Sequence, residues 1–239
     1  MDAFFESARI NRIARGRRKA RTAAPRSKGG VQDRVYAELR RWLMVGRFLP
    51  GETITLRNIA AELGVSPMPV RAALHHLIAE GGLEMLPNRT ARVPRMTRER
   101  LLELLRVRRE LEGMATVQAC RNMTDAELST IKKLHATLMR ALANGNSAQV
   151  LTLNQRFHFT IYAIARSWVL MPMIETLWLR AGPFMHLAQS SPGVNWDGRH
   201  HSELVRALER RDARAARRAI QRDISMAGQN LRTTPLLRG

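Results

Sequence analysis

The chain has 239 residues, with 40 Lys and Arg against 20 Asp and Glu, a formal charge of +20 at pH 7, and one cysteine. That length suits one large domain or two small ones, and a lone Cys120 excludes a disulfide scaffold and fits a reducing compartment. No apolar run is long enough to span a bilayer, and the Ala3-Phe4-Phe5 cluster is too short for a secretory core, so a cytoplasmic chain with no membrane partner is expected.

The charge is unevenly spread. Residues 1–30 carry nine Lys and Arg against Asp2 and Glu6, and residues 31–95 carry nine against six acids. The run Arg9, Arg12, Arg15, Arg17, Arg18, Lys19, Arg21, Arg26 and Lys28 reads as an arm, disordered when free, that follows phosphates without reading bases; a solubilising tail has the same composition.

Val31, Val35, Leu39 and Leu43 mark a helix of about three turns ended by Gly46. Thr55 to Leu77 then reads as two short amphipathic helices joined by a tight turn. Ile59, Ala60 and Leu63 face inward from the first, Gly64 turns the chain, Ser66 is the expected cap and Pro67 the first residue of the second, and Val70, Leu74 and Leu77 form its apolar side. An ordinary helical hairpin also uses Gly-Val-Ser. Here, Gly81-Gly82 is followed by two apolar runs, Leu83 to Leu86 and Ala91 to Val93, around Pro87-Asn88-Arg89-Thr90. That pattern is a hairpin with a basic tip, and the whole is a winged helix-turn-helix.

From Val31 to Arg95 the sequence resembles the GntR family of bacterial transcription regulators, through Gly46-Arg47-Phe48-Leu49-Pro50-Gly51, Leu63-Gly64-Val65-Ser66, Pro69-Val70-Arg71 and Ala73-Leu74. The resemblance implies DNA contacts at Arg57, Ser66, Met68 and Arg71, with Asn88 and Arg89 at the wing tip. Pro67 and Met68 stand where relatives carry Arg and Thr, and Ala72 where they carry Glu.

Beyond Met96 only helical periods follow, so residues 96–239 are expected to form an all-α antiparallel bundle of about six helices; the chain as a whole is mainly α. Leu101, Leu104, Leu105, Arg108, Leu111, Glu112 and Ala115 share one face of the first helix. Thr124 to Glu127 is a capping box for the second, which buries Leu128, Ile131, Leu134, Leu138 and Leu142. Ser147 is the expected cap of a third helix, whose inner stripe is Val150, Asn154, Phe157, His158, Ile161 and Ala165. A fourth runs from about Val169 to Gln189. A loop over 190–198 and helices from Arg199 to Arg210 and Asp212 to about Leu231 complete the chain. Cys120 lies on an apolar helix and reads as a core thiol.

Four polar residues interrupt these stripes: Asn154 and His158 on one helix, His201 on another and Asp223 on the last. Buried without partners, each costs several kcal/mol, on the order of 2–7, so they must bond one another, hold a cation or line a wet pocket. Residues 98–231 resemble the C-terminal domain of the FadR subfamily, through Arg108-Arg109-Glu110-Leu111-Glu112, Asn154 to Phe157-His158, and His201 to Ala207-Leu208 followed by Asp212. The resemblance implies a divalent metal on Asn154, His158, His201 and, in place of a usual histidine, Asp223. Two imidazoles, a carboxylate and an amide suit zinc, nickel or manganese. The same groups also suit direct hydrogen bonding to an organic ligand. His186 and His200 lack a comparable pattern.

Arg108 is a cation on an apolar stripe. It either pairs with Glu112 one turn on or clamps the carboxylate of an effector. Arg206, Arg210, Arg214, Arg217, Arg218 and Arg222 form a basic flank, read as a solvated helix face. The expected function is a DNA-binding transcription regulator, a repressor by family habit. It is expected to be a homodimer on a palindromic operator and the nucleoid, controlled by a small carboxylic acid. Two rivals stand beside it. A helical metallohydrolase would use His158, His201 and Asp223, but a HExxH-type motif is missing and the ligands lie on buried stripes, so the chain is read as a non-enzyme. A nonspecific binder would follow from charge alone.

Overall fold

The computed structural model describes residues 30–190 and 196–230, with the side chains of 188–190 and 227–230 left aside. The basic arm at 1–29, much of the loop expected over 190–198, and Leu231 lie outside the described residues.

Helix α1 (Val31–Met44) buries Val35, Leu39, Trp42 and Leu43. Strand β1 (Thr53–Ile54) leads into α2 (Leu56–Leu63), where Thr55 caps the start by accepting from Asn58 N at 3.4 Å. The chain turns at Gly64 in the left-handed region, φ 64°, which lets Val65 N reach back to Ala60 O at 3.0 Å. Helix α3 (Pro67–Ala79) follows, with Pro67 as its first residue. Ser66 takes the capping position, but its side chain makes no cap bond, a departure from the expectation. A cap side chain accepts from the second or third helical amide, and the third residue here is Pro69, which has no N–H to donate.

Strands β2 (Glu84–Met85) and β3 (Ala91–Arg92) make the wing. The sheet order is β1-β3-β2, all antiparallel, with Ile54 opposite Ala91 and Met85 also opposite Ala91. Sequence periodicity does not show β1, since two residues are too short to alternate.

Six helices form the bundle among the described residues: α4 (Arg98–Asn122), α5 (Asp125–Ala143), α6 (Ser147–Ile164), α7 (Leu170–Ser190), α8 (Arg199–Glu209) and α9 (Ala213–Asn230). The capping box at Thr124 and Glu127 is formed. The third helix is capped by Asn146, which accepts from Gln149 N at 3.1 Å, and Ser147 is instead its first residue. Asn at this site is as good an acceptor as Ser. Helices α5 with α6 and α8 with α9 pack as short-looped pairs, and α4 lies against α6, α7 and α9.

Helix α7 joins the winged unit to the bundle. Its Gly182 meets the end of α1 so closely that an added Cβ would lie 2.1 Å from Leu43 O and 2.7 Å from Met44 O. Only a residue without a side chain fits there. The contact is edged by polar groups: Arg40 binds Glu175 at 2.9 Å and Glu80 at 3.4 Å, Tyr36 donates to Glu80, and Arg180 Nη2 reaches Glu80 O at 3.2 Å. One apolar core accordingly continues from Val35 through Leu179 to Ile224.

Candidate metal centre and nucleic-acid interface

Asn154 and His158 sit one turn apart on α6, so both project over the same spot. His201 comes from α8 and Asp223 from α9. The fold brings all four together. His201 Nε2 lies 2.8 Å from Asn154 Oδ1 and 3.1 Å from His158 Nε2, while Asp223 places Oδ2 3.4 Å from His158 Nε2 and Oδ1 3.1 Å from His201 Nδ1. Asn154, His158 and His201 are no more than 4% exposed.

Aromatic rings wall the cluster. Phe157 and Trp196 approach His201 at 5.1 and 4.9 Å between centroids, and Trp178 approaches His158 at 5.5 Å. In this dry setting burial pushes the His158 imidazole below its ordinary value, against the pull of Asp223. For Asp223 burial disfavours the charge, yet the His201 and His158 rings outweigh it and hold the carboxyl far below the usual carboxylate range.

The donor set fits a cation. His201 Nδ1 and Asp223 Oδ1 are buried and complete no hydrogen bond, although only 3.1 Å separates them. The distance satisfies an ion pair, but the N–H direction does not, and direction decides a hydrogen bond. A neutral imidazole has one N–H, while Asn154 Oδ1, His158 Nε2 and the Asp223 carboxylate all face His201. The cluster holds more lone pairs than protons. The candidate ligand atoms of His158, His201 and Asp223 lie within 4.8 Å of one another, somewhat wider than the about 4.2 Å that two ligands at about 2.1 Å from one ion can span.

Arg108 lies one layer away on α4. Its Nε binds Glu112 Oε1 at 2.6 Å, the one-turn pairing, and its guanidinium covers the Trp178 ring at 4.6 Å. Arg108 Nη1 has Met185 Sδ at 3.9 Å as its neighbour, which leaves that edge less fully used. Two further residues that the sequence pattern does not mark as site residues adjoin the cluster: Tyr162, which donates to Glu112 Oε2 at 2.5 Å and sits 3.3 Å from His158 Nδ1, and Trp178. Tyr162 was signalled by its place four residues after His158 on the same stripe. His200 instead meets Glu203 at 3.1 Å, and His186 packs beneath Gly46. Cys120 is buried, its thiol pushed up by desolvation.

The other candidate surface lies at the opposite chemical extreme, fully wet. Arg57, Ser66, Met68, Arg71, Asn88 and Arg89 are all exposed, Met68 to 67%. Met68, Arg71 and the exposed His75 share one side of α3, at steps of three and four. Arg57 and Arg71 have no hydrogen-bond or ion-pair partner among the described residues. At the wing tip Asn88 accepts from Thr90 N at 3.1 Å, and Arg89 takes φ 59° in a tight turn where Arg89 N binds Leu86 O and Leu86 N binds Thr90 O, each at 2.9 Å. Unspent guanidinium groups beside an exposed helix start are what phosphate and base edges require.

The pattern of the gntR family of bacterial regulatory proteins matches residues 31–93, and that of the FCD domain matches residues 103–225. This chain belongs to the gntR family. Within it, the FCD domain places it in the FadR subfamily. The gntR protein "HTH-type transcriptional regulator McbR" of Escherichia coli is 32% identical over 190 residues, 78% of this chain and 86% of that one. The solved structure of E. coli McbR/YncC superposes with a TM-score of 0.77 at 30% identity, covering 84% of this chain and 98% of that one. A probable D-xylose utilization operon transcriptional repressor of Paenarthrobacter nicotinovorans is 26% identical over 196 residues, 82% of this chain and 84% of its own length. As a gntR regulator the chain is a DNA-binding transcription regulator. Among the described residues no helix is long and apolar enough to cross a membrane.

Proposed function

We propose that this regulator is a cytoplasmic homodimeric repressor. It reads a palindromic operator with α3 and the wing, and it is released by a small organic acid that acts on a divalent metal held in the bundle. The observation that carries the sensing half is the convergence of Asn154, His158, His201 and Asp223 from three helices, with two buried polar atoms left unbonded. A metal there supplies a Lewis-acidic point that a carboxylate can bind. Arg108 offers its Nη1 edge to the same acid, and Glu112 holds the rest of the guanidinium in place.

Dimerisation follows from the reading geometry. One recognition helix spans only a few base pairs, so specificity requires two half-sites and protein symmetry dictates a palindrome. Arg71 and Met68 face the groove, while Arg57, Ser66, Asn88 and Arg89 fix the register on the phosphates. A repressor among the relatives supports the sign of regulation. Transmission runs through α7, which carries Trp178 against His158 and Gly182 against α1. A shift of that helix changes how the two winged units are spaced, and a differential affinity of a few kcal/mol, about 1–3, is enough to release the operator.

Selection from a pool of randomised duplexes tests the reading. The protein is expected to enrich a palindrome with half-sites about one helical turn apart, bound at least a thousandfold more tightly than random duplex in the same salt. Equal affinity for both duplexes would leave only the nonspecific reading.

A further inference from the structure

Resting on the metal proposed for the cluster, a buried chain of polar groups that leads to His158 acquires a role beyond holding an acid. Arg108, Glu112 and Tyr162 are all 2% exposed or less. None of them is needed to fill the coordination of a metal, and burying an ion pair with a phenol costs free energy unless the arrangement does something. Their order in space is linear: Arg108 Nε to Glu112 Oε1 at 2.6 Å, Glu112 Oε2 to Tyr162 Oη at 2.5 Å, Tyr162 Oη to His158 Nδ1 at 3.3 Å, and His158 Nε2 facing His201 and Asp223.

Proton bookkeeping gives this line a direction. Arg108 donates to Glu112 from both Nε and Nη2, and a guanidinium is charged at all ordinary pH, so Glu112 is an acceptor only. The one proton of the Tyr162 hydroxyl is therefore spent on Glu112. A phenol carries its proton at neutral pH, and a contact of 2.5 Å to a carboxylate that only accepts requires that proton. What remains on Tyr162 Oη is a lone pair, and the contact to His158 closes only if Nδ1 carries the hydrogen.

We propose that Arg108, Glu112 and Tyr162 form a positioning relay that locks His158 in its Nδ1–H tautomer and so presents the Nε2 lone pair to a divalent cation shared with His201 and Asp223. The relay explains why the cluster is short of protons. The tautomer that would let His158 donate to Asp223 is the one Tyr162 forbids. It also explains why Asn154, the weakest ligand, needs no comparable support: its oxygen has no tautomer to choose. The partner on the remote nitrogen of a ligating histidine governs ring orientation and ligand basicity, and its loss weakens metal binding about 10- to 100-fold.

The experiment pairs two readouts on the full chain. Nitrogen-15 NMR of the histidine rings in metal-free protein reports the His158 tautomer directly, and competition with a chromophoric chelator reports zinc affinity. Wild type is expected to show Nδ1–H at His158. Tyr162→Phe keeps the ring but removes the lone pair, and is expected to mix the tautomers and weaken zinc about 10- to 100-fold, with Glu112→Gln giving the same direction. Circular dichroism confirms that each variant is folded; a variant that unfolds is replaced by Tyr162→His, whose ring nitrogen restores an acceptor and is expected to recover part of the affinity. An Nε2–H tautomer in wild type, or wild-type zinc affinity in folded Tyr162→Phe, overturns the relay. Wild type that shows Nδ1–H but takes up no zinc upholds the tautomer lock and overturns the metal reading instead.

Discussion

Arg40 Nη1 lies 2.9 Å from Glu175 Oε2, so α1 of the winged unit and α7 of the bundle share an ion pair whose side chains are 20% and 29% exposed. The same arginine also meets Glu80, at the end of α3. Replacing Arg40 by Ala leaves two acids without their cation, whereas replacing Glu175 by Ala leaves Arg40 its second partner. Urea denaturation is expected to show a loss of about 1 kcal/mol or less for Glu175→Ala and a larger one for Arg40→Ala. The reverse order would mean that the two contacts are not shared through Arg40.

Gly182→Ala tests the close approach beneath that pair. An alanine inside a helix ordinarily gains up to about 1 kcal/mol over glycine. Here the new Cβ would lie 2.1 Å from Leu43 O, a backbone atom that no rotamer change can move. The clash is expected to win, lowering stability by about 1–3 kcal/mol and loosening the winged unit from the bundle. A melting temperature at or above wild type would contradict the contact.

The chain has two tyrosines, Tyr36 and Tyr162. Burial, then the bond to Glu80, pushes Tyr36 up to about 12, and Tyr162 is raised well above its usual value by burial and Glu112. A raised pKa in the fold means that Tyr36 contributes stability fully below pH 10, and that this is lost as pH climbs from 10 through about 12. Phenolate absorbance is therefore expected to stay flat through pH 10 while the fold persists. A step there with the amplitude of one tyrosine would show that neither environment is as described.

How much of this was legible in the residues varies with the range of the signal. Leu63-Gly64-Val65-Ser66 and the apolar steps around it announce the two helices because helix periods and turn chemistry are local. Asn154, His158 and Asp223 were visible as polar interruptions of apolar stripes for the same reason. What no local period encodes is which stripe faces which. Trp178 over Arg108, Trp196 against His201, and α7 beneath α1 depend on tertiary packing, and β1 is too short to leave a pattern. Tyr162 is the intermediate case. It extends the stripe of Asn154 and His158 by one more turn, yet a tyrosine on a buried face is ordinary until its hydroxyl is seen between Glu112 and His158.

Arg71 and Arg57 divide two kinds of contact. Arg71 on the exposed side of α3 is expected to read a base edge, so Arg71→Ala should cost about 1–3 kcal/mol on the selected operator and relax preference at one position of each half-site. Arg57 at the start of α2 is expected to neutralise a phosphate. Titrations across salt should show Arg57→Ala weakening operator and random duplex alike and reducing the salt slope by about one per site. A loss of sequence preference in Arg57→Ala would exchange the two assignments.

Asp223 stands where the subfamily resemblance places a histidine, and it supplies the only anionic oxygen in the cluster. Asp223→Asn keeps the shape and removes the charge, so zinc affinity should fall by at least about tenfold, while Asp223→His should retain or improve it. Competition with a chromophoric chelator measures both. Equal affinity in Asp223→Asn and wild type would place the ion elsewhere.

In the proposed regulation, control of the grip of α3 on DNA runs through occupancy of the His158 cluster. It is tested most directly by titrating the selected operator with metal-free and zinc-loaded protein, each with and without a panel of small carboxylic acids, in wild type and His201→Ala at one salt concentration. At least one acid is expected to weaken the zinc-loaded wild type about fivefold or more, with no response in metal-free protein or in His201→Ala, both of which still bind the operator. A wild-type response that survives loss of zinc and of His201 would contradict control through this cluster.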